Sequence, residues 1–175
     1  MRALVVYESM FGCTQAIAAA VADGLSVHVD AGTVEVGSAP TSIRDDVALL
    51  VVGGPTHAFG LSRPGTRRTA AEQAGAGLVS TGVGLREWFG TVHSGAGRAA
   101  AAFDTRIGKP RLPGSAAGVA GRRLRRLGYR LIAQPASFYV EGTPGPLLTG
   151  EAERARQWGE SLGSELIASQ PRSVH

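Results

Sequence analysis

Leu4-Val5-Val6-Tyr7-Glu8-Ser9-Met10-Phe11-Gly12-Cys13-Thr14, followed by the Ala-rich stretch Gln15 to Val21, decides the fold of this chain. An apolar run of strand type passes through a short loop into a helix. Ser9 and Thr14 offer hydroxyls, and Gly12 lets the backbone turn back. The amides of residues 10 to 14 converge at a helix start, where the dipole favours an anion. A phosphate monoester fits such a loop. The stretch has neither the Gly-Lys-Ser/Thr ending of a Walker loop nor the G-x-G-x-x-G of a dinucleotide fingerprint.

The remaining chain supplies the context. At 175 residues it reads as one domain able to bury a core without staples. A hydrophobic content of 43% with 25 glycines suits a compact α/β protein with tight loops better than a disordered chain. The lone cysteine, Cys13, excludes an intramolecular disulfide framework. Met1-Arg2 leads directly into a strand without a secretion signal, and no apolar run reaches the length of about 18 residues that a membrane span needs. The expectation is a soluble, cytoplasmic protein without a membrane partner.

Strand and helix patterns alternate along the chain. Thr14 to Leu25 reads as a helix and Val27 to Val36 as a strand. Val47 to Val52 is a continuous apolar run, the pattern of a central parallel strand covered on both faces. It ends at Gly53-Gly54-Pro55. Ser62 is placed to cap a helix with Pro64 in its first turn, running toward Ala74. A short helix follows around Leu85 to Phe89, with Trp88 and Phe89 read as packing residues. Arg98 to Phe103 reads as a fourth strand, and a basic helix runs from Gly114-Ser115 to near Gly128. Tyr129 to Val140 is the last strand, with a bulge or a break at Pro135, which cannot donate to a ladder. Glu151 to Ala168 is a helix with Ala155, Trp158, Leu162 and Leu166 as its buried stripe. Five strands alternating with helices imply a doubly wound α/β parallel sheet in a single domain, residues 1–168, with 169–175 as a disordered tail.

The formal charge is +4 and the pI about 10.0. The surplus sits at Arg63, Arg67 and Arg68; at Arg106, Lys109 and Arg111; and at Arg122, Arg123, Arg125 and Arg126. Charge alone permits nucleic-acid binding. The last cluster, however, lies on a helix whose other side, Ala116, Ala120, Leu124 and Leu127, is spaced for burial. Its arginines then form the solvated face, and no nucleic acid is expected. Protein partners of so basic a chain should present acidic docking faces.

The pattern V-V-Y-x-S-x-x-G-x-T-x-x-x-A-x-x-V, Val5 to Val21, resembles the N-terminal signature of flavodoxins position for position. The resemblance implies the strand order 2-1-3-4-5 and an FMN site beyond the C-terminal ends of the strands, at the switch point between strands 1 and 3. Three loops would build it: 8 to 14, 53 to 60 and 104 to 112. Ser9, Met10, Phe11, Gly12, Cys13 and Thr14 would hold the FMN phosphate through amides and hydroxyls. In the second loop the glycines would admit a flat ligand, and Pro55, Thr56, His57, Phe59 and Gly60 would contact the flavin. His57 or Phe59 would cover one face of the ring, and Thr56 would bond the ring or ribityl chain. In the third loop, Asp104, Thr105 and Arg106 would complete the site. That loop departs from the family in having no Tyr or Trp to stack on the outer face. Its positive charge would stabilise an anionic reduced flavin and make the reduction potential less negative.

The resemblance implies an FMN-binding electron-transfer protein with no catalytic side chain. An FMN-dependent reductase of quinones or other small acceptors is a second reading, and a binding or regulatory domain that no longer takes flavin is a third. Cys13, a thiol at a helix N-terminus, could itself be reactive, although a bound dianion beside it would oppose thiolate formation. No hydrolase elbow is present, and the four histidines lack metal-ligand spacing.

Overall fold

In a computed structural model of the protein, residues 1–75 and 77–170 are described. The central run forms β3 (Val47–Pro55), in which Leu49, Leu50, Val51 and Val52 are fully buried. Side chains alternate across a strand. Leu49 and Val51 therefore enter one core layer, and Leu50 and Val52 the other. Beside β3 run β1 (Arg2–Tyr7) and β4 (Ala99–Ile107), with β2 (Asp30–Glu35) on the outer side of β1. The far edge consists of β5 (Arg130–Leu131) and β6 (Ala136–Val140), both parallel to β4. β5 pairs with the beginning of β4, and β6 with Phe103 to Ile107. The expected single last strand is thus two short ones, separated around Pro135. The order is 2-1-3-4-5, with β6 on β4 as the sixth strand.

α1 (Cys13–Leu25) and α5 (Glu151–Ala168) cover one face of the sheet; α3 (Leu85–Trp88) and α4 (Ala116–Arg126) cover the other. α2 (Pro64–Ala74) buries only Ala70. Trp88 and Phe89 are buried as expected, 5.4 Å apart between ring centroids. Phe103, Phe138 and Trp158 meet edge to face with centroids 5.9 to 6.2 Å apart. No helix among the described residues is long and apolar enough to cross a membrane.

Five expectations change. The second strand begins at Asp30, because residues 26 to 29 close α1, Val29 N donating to Leu25 O at 3.0 Å. Ser62 does not cap α2. Arg63 takes the cap position with the Thr66 hydroxyl bonded to its backbone, while the buried Ser62 hydroxyl donates to Glu8. β3 includes Gly53, Gly54 and Pro55, so the second loop starts at Thr56. β4 extends through Asp104, Thr105 and Arg106, which are strand residues and not loop. Of the expected tail, Ser169 and Gln170 finish α5 in a hydrogen-bonded turn, and 171–175 lie outside the described residues.

α1 and α5 cross at van der Waals contact between backbones. A methyl at Gly159 would sit 2.2 Å from Val21 O, and one at Gly24 would sit 1.9 Å from Arg156 O. Backbone on both sides leaves nothing that can rotate away, so overpacking is costly here. Gly159→Ala should lower the free energy of unfolding by about 2 kcal/mol or more, measured by urea denaturation. Gly32→Ala, which meets nothing within 4 Å, should change it by less than about 0.5 kcal/mol.

Candidate functional site

The turn between β1 and α1 sits beyond the C-terminal end of β1, and its polar groups divide into two sets. Ser9 is fully buried, and its Oγ accepts from the amides of Gly12 and Gln15, both at 3.2 Å. Its own amide donates to Ser80 Oγ at 3.0 Å. The amides of Ser80 and Val79 donate to the carbonyls of Ser9 and Met10 at 2.7 and 3.0 Å. Gly12 adopts φ +97°, a left-handed conformation that side chains rarely take. The second set is the amides of Met10, Phe11, Cys13 and Thr14, which have no hydrogen-bond partner among the described residues. Unpaired amides at a helix start form an anion-binding concavity.

Hydroxyls lock the neighbouring segments around this turn. Thr14, 2% exposed, shares a hydrogen bond of 2.7 Å with Thr105. Thr56 Oγ1 donates to Asp104 Oδ2 at 3.0 Å and accepts from Ala116 N at 3.0 Å; its amide donates to Thr105 O. Asp104, fully buried, also accepts from Ala117 N at 3.0 Å. Its carboxylate lies at the α4 N-terminus, where the helix dipole favours negative charge. The expected third-loop ligand Asp104 is thus an internal anchor that lines none of the clefts described below.

The second loop is a tight hairpin in which the His57 and Gly60 amides donate to each other's carbonyls at 2.8 and 3.1 Å. Ala58 (φ +46°) and Phe59 (φ +73°) occupy its centre. Both prefer other backbone conformations, so the turn stores strain of about 1–3 kcal/mol per residue. Phe59 is lifted out, 55% exposed. His57 Nδ1 lies 3.1 Å from Thr66 Oγ1. Burial, helped by the nearby Arg67 guanidinium, pulls the imidazole pKa down, which favours its neutral form. The glycines expected to admit a flat ligand serve packing instead. A methyl on Gly53 would lie 2.0 Å from the Phe103 ring across the β3–β4 register, and one on Gly54 would lie 2.8 Å from Leu85.

These segments enclose a cleft of about 120 Å³ lined by Ser9, Met10, Phe11, Cys13 and Thr14 on one side and by Pro55, Thr56, His57, Thr105 and Arg106 on another. A second depression of about 170 Å³ shares Thr56, Arg106 and Ile107 with it and adds Ala58, Phe59, Leu112 and Pro113. Arg106 bridges the two, its Nη2 donating to Leu112 O at 2.6 Å. Leu112 is 52% exposed. A polar cradle of free amides thus continues into a depression walled by apolar side chains, which fits a phosphate joined to a flat aromatic ring. Gly60 lines neither cleft.

A further wall lies outside the three loops expected from the sequence. Gly142, Thr143 and Pro144, after β6, line the first cleft, and Cys13 Sγ lies 3.7 Å from Pro144 O. The Gly/Pro-rich run Gly142-Thr143-Pro144-Gly145-Pro146 at the C-terminal end of the last strand was the available signal, since ligands of such sheets gather there. Burial pushes the Cys13 thiol up, the reverse of what a reactive thiolate needs. Among the described residues no group of three or more His, Cys, Asp or Glu could hold a metal ion.

Glu8, fully buried directly before the turn, was also missed. It accepts from Leu85 N at 2.8 Å and from the Ser62 hydroxyl. Arg67 donates to Ser62 Oγ at 2.9 Å and to Glu87 at 3.0 Å. The cluster therefore joins the end of β1 to α2 and α3.

No family model matches the chain, and no curated protein matches it. Solved structures do. A flavodoxin from the domain Archaea is 17% identical over 95% of this chain and 99% of its own, with a TM-score of 0.65. Flavodoxin 1 from Bacillus cereus is 14% identical over 98% of this chain and 100% of its own, with a TM-score of 0.67. The flavodiiron protein from Giardia intestinalis is 20% identical over 95% of this chain, which spans 36% of that longer one, with a TM-score of 0.59. The fold is flavodoxin-like.

Burial raises the Glu8 pKa above its ordinary value of 4.5, against the lowering influence of Ser62, Leu85 and Arg67. The folded state then holds a proton that the unfolded chain has released. This contribution to stability is fully present below the unfolded value and is lost as pH rises through the folded one. The difference in urea midpoint between the protein and its Glu8→Gln variant should therefore move in favour of the variant as pH is raised from acid to neutral. A difference constant with pH would contradict the assignment.

Proposed function

We propose that the protein binds FMN and transfers electrons. The observation that carries this reading is the set of four unpartnered amides, Met10, Phe11, Cys13 and Thr14, at the switch point of a flavodoxin-like sheet. The amides would hold the phosphate, and Ser9 would fix the turn by occupying the two amides that the phosphate does not use. Thr56 and Thr105 would flank the ribityl chain, with Phe59 and Leu112 offering apolar surface to the ring. Asp104, through Oδ2, and Thr14, through its hydroxyl, would act by positioning, those oxygens being engaged within the protein. FMN, when bound, supplies the redox chemistry; the protein binds it, shields it and sets its electrostatics. Partners in this reading are redox proteins with acidic faces or a small-molecule acceptor.

Titration of the flavin-free protein with FMN and with riboflavin, followed by flavin fluorescence, tests the proposal. Even if only two of the four amides bond the charged phosphate, at about 1.5 kcal/mol each, FMN would bind at least about 100-fold tighter than riboflavin. Equal affinity, or no binding of either, would sink it.

Arg106 is the cation that lines both clefts. Its charge should favour the reduced cofactor, which carries more negative charge. Arg106→Gln should shift the two-electron potential to more negative values by on the order of 30 mV, read by redox titration; an unchanged potential would remove Arg106 from that role.

A further inference from the structure

We propose that Arg63, Arg86 and Arg123, together with the exposed Phe59, form a docking surface for the acidic face of a redox protein. This rests on the electron-transfer reading and names the partner chemistry at that site.

The three arginines come from three separate elements: the residue before α2, α3, and α4. A methyl on Gly60 would lie 4.0 Å from Arg86 Nη2 and 3.5 Å from Val119 Cγ2. Arg123 is one helical turn beyond Val119 on the same face of α4, and Arg63 follows Gly60 by three residues. The cations therefore gather beside the hairpin that presents Phe59. Arg86 is fixed in place, donating from Nε to Ser62 O at 3.1 Å and from Nη2 to Leu61 O at 2.9 Å. Burial and the charges of Arg63, Arg123 and Arg67 depress its pKa against the raising influence of Glu87, in keeping with that grouping.

None of the three forms an ion pair among the described residues, and Glu87, on the same helix as Arg86, is taken by Arg67. Packing like charges without ion-paired carboxylates raises the free energy of the free protein, and an anionic surface relieves that repulsion. The composition fits a protein partner: a fixed Arg and an exposed aromatic are the residue types that dominate interface energetics. Arg86 is already ordered, so less side-chain entropy is lost on docking. The site lies at the edge of the depression assigned to the ring, where a partner's own cofactor must approach.

The test is calorimetric titration with an oxidised plant-type [2Fe–2S] ferredoxin, an acidic protein, at low and physiological ionic strength, with the protein FMN-loaded and FMN-free. The surface predicts binding that weakens with salt. Arg63→Glu and Arg123→Glu should each weaken it at least about tenfold. Arg130→Glu, the same change of charge on the edge strand β5, should leave it within about twofold. No binding of ferredoxin, equal loss in Arg130→Glu, or equally tight binding of the basic protein cytochrome c would overturn the proposal. Tighter binding of duplex DNA at the same salt, lost in the same variants, would overturn it in favour of nucleic acid. Binding of ferredoxin without any binding of FMN would instead leave the surface standing and remove the electron-transfer reading.

Discussion

The hydroxyl of Ser9 takes two backbone amides from the turn that joins β1 to α1, and the geometry of the site follows from that bond pair. A buried turn must account for each of its polar groups. Ser9 Oγ satisfies Gly12 and Gln15, while the amides of Val79 and Ser80 satisfy the carbonyls of Met10 and Ser9. With these groups satisfied from inside, the turn is rigid, and the amides of Met10, Phe11, Cys13 and Thr14 are left facing the helix start. The left-handed Gly12 makes this closure possible without strain.

The same division of labour extends outward. Thr14 with Thr105, and Thr56 with Asp104 and the first amides of α4, tie the ends of β3 and β4 to both helices. Side-chain oxygens fix the frame, and backbone amides and apolar surface remain for a ligand. The strained Ala58-Phe59 turn belongs to this frame as well, because His57 and Gly60 close it and Thr66 holds the imidazole. Beneath it, Glu8 connects the end of β1 to Ser62 and Leu85, so the turn before α1 and the Ala58-Phe59 hairpin share one buried polar support.

Much of this was legible in the sequence because the signals were local. The turn was marked by Ser9, Gly12 and Thr14 at fixed spacing, β3 by its unbroken apolar run, α5 by its buried stripe, and the gap between β5 and β6 by Pro135. Apart from the start of β2, which the local closure of α1 delays to Asp30, the misreadings share a physical cause, pairing across long sequence separations. Asp-Thr-Arg at 104–106 carries no apolar period, yet Phe103 to Ile107 pair with Ala136 to Val140 and become strand. Ser62 looked like a helix cap, but a buried carboxylate 54 residues away claims its hydroxyl. Gly53 looked like room for a ligand, and the space is filled by Phe103, its cross-strand neighbour. The convergence of Arg63, Arg86 and Arg123 likewise exists only in the folded chain.

The central claim is that the free amides of the first turn are the phosphate seat, and the most direct measurement is a backbone amide chemical-shift titration with FMN on the isotopically labelled protein. The account predicts large shifts confined to Met10, Phe11, Cys13, Thr14 and the residues of the two clefts, with the Met10 to Thr14 shifts absent when riboflavin replaces FMN. Shifts of equal size in that turn with riboflavin, or FMN shifts that map elsewhere while the turn stays unchanged, would contradict it.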